Sequence, residues 1–168
     1  MNRVILTIII LFSNFIYSQK GIEKWDKTYK NENAEKIIQA EIDYALEIEK
    51  DTTEGHYYVA MEKFRFLAEF TGKERKINAE TLNSMKRVFK VKMGNAKVLN
   101  GLVSKEFEFN IGKSKIWMPI QNQLIEDFKN EINEGKKVLL YTLFTNEHKF
   151  EGGIINTFLI SEFTTEWE

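Results

Sequence analysis

The sequence has no cysteine, one proline and two histidines in 168 residues. Without a thiol, the chain cannot form disulfides, carry a lipid on an N-terminal cysteine, bind zinc through sulfur or use a cysteine nucleophile. It also has no Asn-x-Ser/Thr acceptor, so N-glycosylation is not expected. A fold without these supports depends on its hydrophobic core, and 13 Phe, 6 Tyr and 3 Trp residues are present to fill one.

Long apolar runs are missing as well. The longest, residues 4–12 (VILTIIILF), is far shorter than the ~20 apolar residues that span a bilayer, so no transmembrane span is expected. It follows Arg3 and precedes Ile16 and Ser18, an aliphatic and a small residue that suit a signal-peptide cleavage site. We therefore predict a secretory signal peptide over residues 1–18, with an uncleaved N-terminal anchor as the alternative, and a single globular domain over residues 19–168.

The signal peptide predicts that the protein is exported, to the periplasm or to the cell surface and medium. The chain is rich in Ile, Lys and Asn, which suits a bacterial exporter with an AT-rich genome. No repeat, low-complexity tract or proline-rich linker interrupts the predicted domain.

Hydrophobic periodicity predicts the order α-β-α-β-β-α-β-β. The helices are expected after an Asn33 N-cap, between Asn78 and Gly94, and from Pro119 to about residue 134. The strands are expected over residues 62–70, 102–111, 115–118, 137–144 and 154–163, with a turn at 71–73 and a loop at 146–153. This order indicates an α+β fold: a mostly antiparallel, curved sheet of about five strands with three helices packed on it. A small, partly open β-barrel with an inserted helix is the alternative.

Charge is unevenly distributed along the chain. Residues 32–54 contain eight acids against two lysines, and residues 73–97 contain eight bases against two glutamates. Three of those bases, Lys86, Arg87 and Lys90, lie on the polar side of the second predicted helix. They are a candidate site for an anionic ligand, such as a lipid headgroup, polyphosphate or nucleic acid, and the alternative is an ordinary solvated helix face.

The tract around Trp117 is the most distinctive local sequence. Strand alternation places Trp117 on the face opposite Ile116 and Met118, either under a helix or exposed. An exposed tryptophan can stack on a sugar or a peptide, and Gln121, expected at the start of the next helix, would offer hydrogen bonds beside it. The alternative is that Trp117 is a core residue.

Motifs that carry catalysis are absent. There is no Gly-x-Ser-x-Gly, Walker loop, Gly-x-Gly-x-x-Gly or His-x-x-x-His, so no catalytic residue, cofactor or metal site is predicted. Glu106 and Glu108 share one face of a predicted strand, as paired carboxylates of glycosidases can. His56 and His148 each have an acid nearby, which would support acid–base chemistry if the two regions met.

Three hypotheses about function follow. The absence of a convergent catalytic set favours an exported, non-enzymatic binding or interaction module, whose partner is an unknown envelope ligand or protein. The second hypothesis is a small cell-envelope hydrolase that uses Glu106, Glu108 or a His–acid pair. The third is an accessory structural subunit of an envelope assembly.

Overall fold

The computed structural model describes residues 23–51, 57–149 and 153–167. The predicted signal peptide lies outside these residues and stays a prediction. Within them, the helices are α1 (23–28), α2 (Ala34–Ile48), α3 (Ala79–Met93) and α4 (Ile125–Glu131). The strands are β1 (Lys30–Asn31), β2 (Tyr57–Lys76), β3 (Val103–Ile111), β4 (Ser114–Gln121), β5 (Lys137–Lys149) and β6 (Gly153–Thr164).

The two long helices begin and end at the residues that the sequence indicates. The Asn33 side chain accepts a hydrogen bond from the backbone N–H of Lys36, and Asn78 caps α3 through the N–H of Glu80. These bonds satisfy backbone donors that the first turn of a helix leaves without a partner. Gly94 ends α3 with φ of 71°, a conformation that glycine adopts without a Cβ clash.

The strands form one mixed sheet in the order β1-β2-β3-β4-β6-β5, and β2 also pairs with β5. Most pairings are antiparallel, so the predicted α+β fold with a curved, mostly antiparallel sheet is confirmed. The sheet curls back on itself, but β4 and β6 meet through the single parallel pair Ile120↔Ile160. Because only this pair joins β4 to β6, the sheet does not form a regular closed barrel.

The predicted turn at residues 71–73 is wrong. Strand β2 runs through it for 20 residues, and the pairing register with β3 shifts between Phe70 and Glu74. Gly72 lies in this shift with φ of 79°. A glycine with positive φ is typical of β-bulges as well as of turns, which explains why the local sequence suggests a chain reversal.

The predicted start of the third helix at Pro119 is also wrong. Pro119 lies in β4 opposite Glu106, and α4 begins only at Ile125, after a 3₁₀ turn at Asn122–Leu124. A proline is tolerated in a strand whose neighbour on one side makes few ladder hydrogen bonds, and β6 makes only one pair with β4. Strand β5 likewise continues to Lys149, through part of the predicted loop.

Phenylalanine rings fill the concave face of the sheet. Phe107, Phe109 and Phe128 are fully buried, and Phe70 packs edge-on against Phe128 at a centroid distance of 5.2 Å. A second cluster lies under α3, on the opposite face of the sheet. Its buried members are Ile77, Met85, Phe89, Leu99, Val103 and Leu159. In α2 the buried residues are Ala34, Ile37 and Ala45, whereas Leu46 is 59% exposed.

The β3–β4 hairpin is held by a side chain from α2. Glu35 Oε1 accepts hydrogen bonds from the backbone N–H of Lys113 at 3.1 Å and from Ser114 Oγ at 2.9 Å. Gly112, beside them, has φ of 56°, and a Cβ there would collide with the Glu35 carboxylate. The hairpin turn therefore needs glycine both for its backbone conformation and for the approach of Glu35.

We expect Gly112→Ala to lower the free energy of unfolding by more than the ~1–2 kcal/mol that a left-handed conformation costs a residue with a Cβ. Gly101→Ala is the matched control, since Gly101 has φ of 72° but no atom within 4 Å of the place that a Cβ would occupy. Urea unfolding followed by circular dichroism measures both. An equal or smaller loss for Gly112→Ala would contradict the role of Glu35 at the hairpin.

Candidate functional site

Trp117 lies on the outer face of the sheet, away from the phenylalanine core. Its cross-strand neighbour in β3 is Glu108, and Glu106 in the same strand pairs with Arg75 of β2. The indole is partly exposed, so Trp117 is not a fully buried core residue. We call this surface the Trp117 face and define it by Thr71, Lys73, Arg75, Glu106, Glu108 and Trp117.

Arg75 stacks on Trp117. The guanidinium carbon lies 4.1 Å from the centroid of the indole ring, within the range of a cation–π contact. Arg75 Nε donates to Glu106 at 2.7 Å, and this buried carboxylate, 1% exposed in its side chain, fixes the guanidinium over the ring. Within the described residues Arg75 makes no other hydrogen bond, and its side chain is 43% exposed.

The second carboxylate of the Trp117 face also has a cation beside it. Glu108 accepts from Thr71 Oγ1 at 2.9 Å, and Lys73 Nζ lies 3.3 Å from it. Burial acts to raise the pKa of Glu108. Hydrogen bonds from Thr71 and Lys73 and the charges of Lys73 and Lys115 outweigh this effect, so the pKa is lowered. A glycosidase acid needs the opposite shift, since it must hold its proton near neutral pH.

Gln121 lies at the end of β4 rather than at the start of a helix. It pairs with Val103 of β3, and its Oε1 accepts from Gln123 Nε2 at 3.1 Å. Strand alternation places it on the same face as Trp117, four residues along. It therefore shares a face of the sheet with Trp117, but it belongs to a different element from the one that the sequence suggests.

The three predicted anion-binding residues of α3 do not act alike. Arg87 donates two hydrogen bonds to Glu147 of β5, from Nε at 2.5 Å and from Nη2 at 2.6 Å. Lys86 and Lys90 form no ion pair within the described residues. Helix α3 packs mainly on β2, β5 and β6, so this group is separate from Trp117 on β4. Arg87 is thus occupied by an internal partner, while the two lysines are available.

Glu147 is a buried charge at a position that the sequence predicts to lie in a loop. It lies in β5 under α3 with 1% of its side chain exposed, and it also contacts Tyr57 and Lys149. Burial acts to raise its pKa, but hydrogen bonds from Arg87 and Ser84 and the charges of Arg87 and Lys149 hold the pKa below its ordinary value. The sequence carries no local signal for the Arg87–Glu147 pair, because its members are 60 residues apart.

His148 does not meet the other catalytic candidates. It is 1% exposed, and its Nε2 lies 2.7 Å from Glu49 at the end of α2. Its position in β5, on the concave side of the sheet opposite Tyr58, separates it from Glu106 and Glu108 on the outer face of β3. His56 lies outside the described residues. Within the part of the chain that the structure describes, no three acidic or histidine side chains are arranged to hold a metal ion.

Comparisons with known proteins give no relatives. No protein-family model, no curated protein and no solved structure matches the chain. Within the described ranges, no helix is long and apolar enough to cross a membrane.

We expect Arg87→Ala to lower the free energy of unfolding at neutral pH by about 1–3 kcal/mol, because it leaves the buried Glu147 carboxylate without its main partner. This expected loss of stability is smaller than the loss for a fully buried ion pair, because Arg87 is itself 40% exposed and water can replace part of the interaction. Lys86→Ala, which removes a neighbouring cation with no ion pair in the described residues, should have little effect.

The loss should also depend on pH. Since the folded-state pKa of Glu147 lies below its unfolded value, the pair contributes stability above the unfolded pKa, and this is lost as the pH falls through the folded pKa. The gap between wild type and Arg87→Ala should therefore shrink below about pH 4. Chemical unfolding across the pH range measures it, and a gap that widens in acid would contradict the assignment.

Proposed function

We propose that this protein is an exported, non-enzymatic binding module and that its ligand contacts the Trp117 face. One observation carries the proposal: Arg75 is held over the Trp117 ring by a buried carboxylate, and its terminal nitrogens have no hydrogen-bond partner within the described residues. A fixed guanidinium beside a partly exposed indole is preorganised, so little side-chain entropy is lost when a ligand binds.

The chemistry of the face indicates the class of ligand. An indole offers a flat apolar surface to the face of a sugar ring, and the planar fork of a guanidinium matches a carboxylate. We therefore propose an acidic saccharide, in which a carboxylate lies beside an apolar ring face. Lys73 within the face, and Gln121 four residues along β4 from Trp117, would offer further hydrogen bonds to hydroxyl groups.

The surroundings of the titratable groups favour binding over catalysis. Glu106 and Glu108 each have a cation within 3.3 Å, and His148 lies on the other side of the sheet, buried against Glu49. A hydrolase would need one of these groups to exchange a proton with a substrate that reaches it. The hydrolase hypothesis therefore has less support than the binding hypothesis.

The ligand proposal predicts that oligomers of galacturonic acid bind and that their methyl esters, which lack the negative charge, bind much more weakly. Trp117→Ala should reduce affinity for the acid about 3- to 30-fold, the range of one aromatic contact to a partly desolvated partner. Trp117→Phe should retain part of it. Isothermal titration calorimetry with the purified protein measures each affinity.

Two controls make this test specific. Trp167→Ala removes another partly exposed indole, 38% accessible, and should leave affinity unchanged. Arg75→Lys keeps the charge but loses the planar fork, and it should weaken binding of the acid more than binding of the ester. Equal binding of acid and ester, or an equal loss in Trp167→Ala, would count against the Trp117 face as an acidic-saccharide site.

Export is supported by the N-terminal sequence pattern of residues 1–18. We expect the protein recovered outside the cytoplasm to begin at Gln19, and intact-mass spectrometry of that fraction measures it. Arg3→Glu combined with Ile8→Asp should block export, because it removes the cationic start and interrupts the apolar core. Recovery of full-length protein in the cytoplasm from the unaltered gene would overturn this part of the proposal.

A further inference from the structure

A stretch of the chain that includes α3 after its first turn carries bases and no acids. Between Glu80 and Glu106 there is no Asp or Glu, and the bases are Lys86, Arg87, Lys90, Lys92, Lys97 and Lys105. Two of them are used internally, Arg87 by Glu147 and Lys105 by Glu74 at 2.7 Å. The remaining lysines form no ion pair within the described residues, so this end of the molecule carries uncompensated positive charge.

The same end exposes apolar side chains. Val91 and Met93 are each 57% exposed and Val98 is 40% exposed, all within eight residues. Every residue from 90 to 95 is exposed, so the last turn of α3 and its Gly94 cap project from the sheet instead of packing on it. We call residues 90–98 the α3 tip.

The energetics of helix ends explain two lysines of the α3 tip but not its exposed apolar residues. Lysines in the last turn of a helix stabilise it by interacting with the negative end of the helix dipole, which accounts for Lys90 and Lys92. The dipole gives no reason for Val91, Met93 and Val98 to be exposed in the same segment. Single exposed apolar residues are common, but here three lie within eight residues, among lysines that form no ion pair within the described residues.

An anionic bilayer surface fits both properties. Phosphate headgroups attract lysines, and the boundary beneath them accepts apolar side chains to a depth of about 5–10 Å. The lysine stems extend along the apolar layer while their ammonium groups stay among the phosphates. A soluble polyanion would satisfy the lysines alone and leave the valines and the methionine in water.

We propose that the α3 tip binds the surface of an anionic phospholipid bilayer. Lys90, Lys92 and Lys97 contact headgroup phosphates, and the exposed apolar side chains enter the boundary beneath them. The site shares no residue with the Trp117 face, because residues 90–98 belong to the end of α3 and the segment after it, whereas the Trp117 face is made by β2, β3 and β4. A ligand on one surface and a membrane at the other contact different elements.

The test measures binding of the purified protein to vesicles of phosphatidylcholine with and without phosphatidylglycerol, by co-sedimentation. We expect binding only to the anionic vesicles, weakened by salt. Each lysine near an anionic surface contributes about five-fold, so Lys90→Gln/Lys92→Gln/Lys97→Gln should lose about 100-fold. The matched control Lys27→Gln/Lys113→Gln/Lys137→Gln removes three exposed lysines elsewhere and should lose far less.

A second pair of variants tests the apolar contact. Met93→Ser should reduce binding to anionic vesicles about five-fold, whereas Leu46→Ser, at a residue of 59% exposure on α2, should not. Both positions are exposed, so neither change should unfold the protein, and a thermal melt verifies this. Trp117→Ala should bind vesicles as the wild type does.

Three results would overturn the proposal. Equal binding to phosphatidylcholine alone would mean that charge is not involved. An equal loss in the two lysine triplets would mean that net charge, and not the α3 tip, determines binding. Binding of soluble polyphosphate as tight as binding of vesicles, with Met93→Ser affecting neither, would identify a polyanion site in place of a membrane surface.

Discussion

A twisted strand of 20 residues cannot keep one partner along its whole length in a small sheet, and β2 is such a strand. It pairs with β5 over Tyr57 to Glu69 and with β3 over Glu69 to Lys76. The register shift after Phe70, with Gly72 at positive φ, lies just beyond the point where the pairing with β5 ends. The curl of the sheet, the enclosed phenylalanine core and the position of the β3–β4 hairpin all depend on this single strand.

Curling gives the two faces of the sheet different chemistry. The concave face holds rings, while the outer face buries carboxylates, of which Glu106 and Glu147 are each 1% exposed. A buried carboxylate is costly unless a cation accompanies it, and each of these two has an arginine. The two pairs differ in the donors that they leave free. Arg87 uses two donors on Glu147, whereas Arg75 uses one on Glu106 and stacks its guanidinium on Trp117.

What the sequence predicts correctly is local. Asn33, Asn78 and Gly94 mark helix ends through contacts within a few residues, and the side chains of residues 103–111 are enough to predict that they form a strand. What it misses depends on distant partners. Residues 71–73 and Pro119 have the composition of a turn and of a helix start, and only pairing with β3 keeps both in strands. The same holds for the candidate site. The orientation of Trp117 is predictable from strand alternation, but the contact with Arg75 depends on the pairing of β3 with both β2 and β4.

The acidic and basic segments do not neutralise each other. Acids of α2 are used nearby, Glu35 at the β3–β4 hairpin and Glu49 at His148, and within the described residues no ion pair joins α2 to α3. The formal net charge of −1 therefore combines an acidic segment and a basic segment that form no ion pair with each other within the described residues. Screening limits charge interactions to about 10 Å at moderate ionic strength, so an approaching anionic surface interacts with the nearest end of the molecule and not with its net charge. Because α3 projects and α2 is repelled, such a surface would orient the protein with the α3 tip toward it.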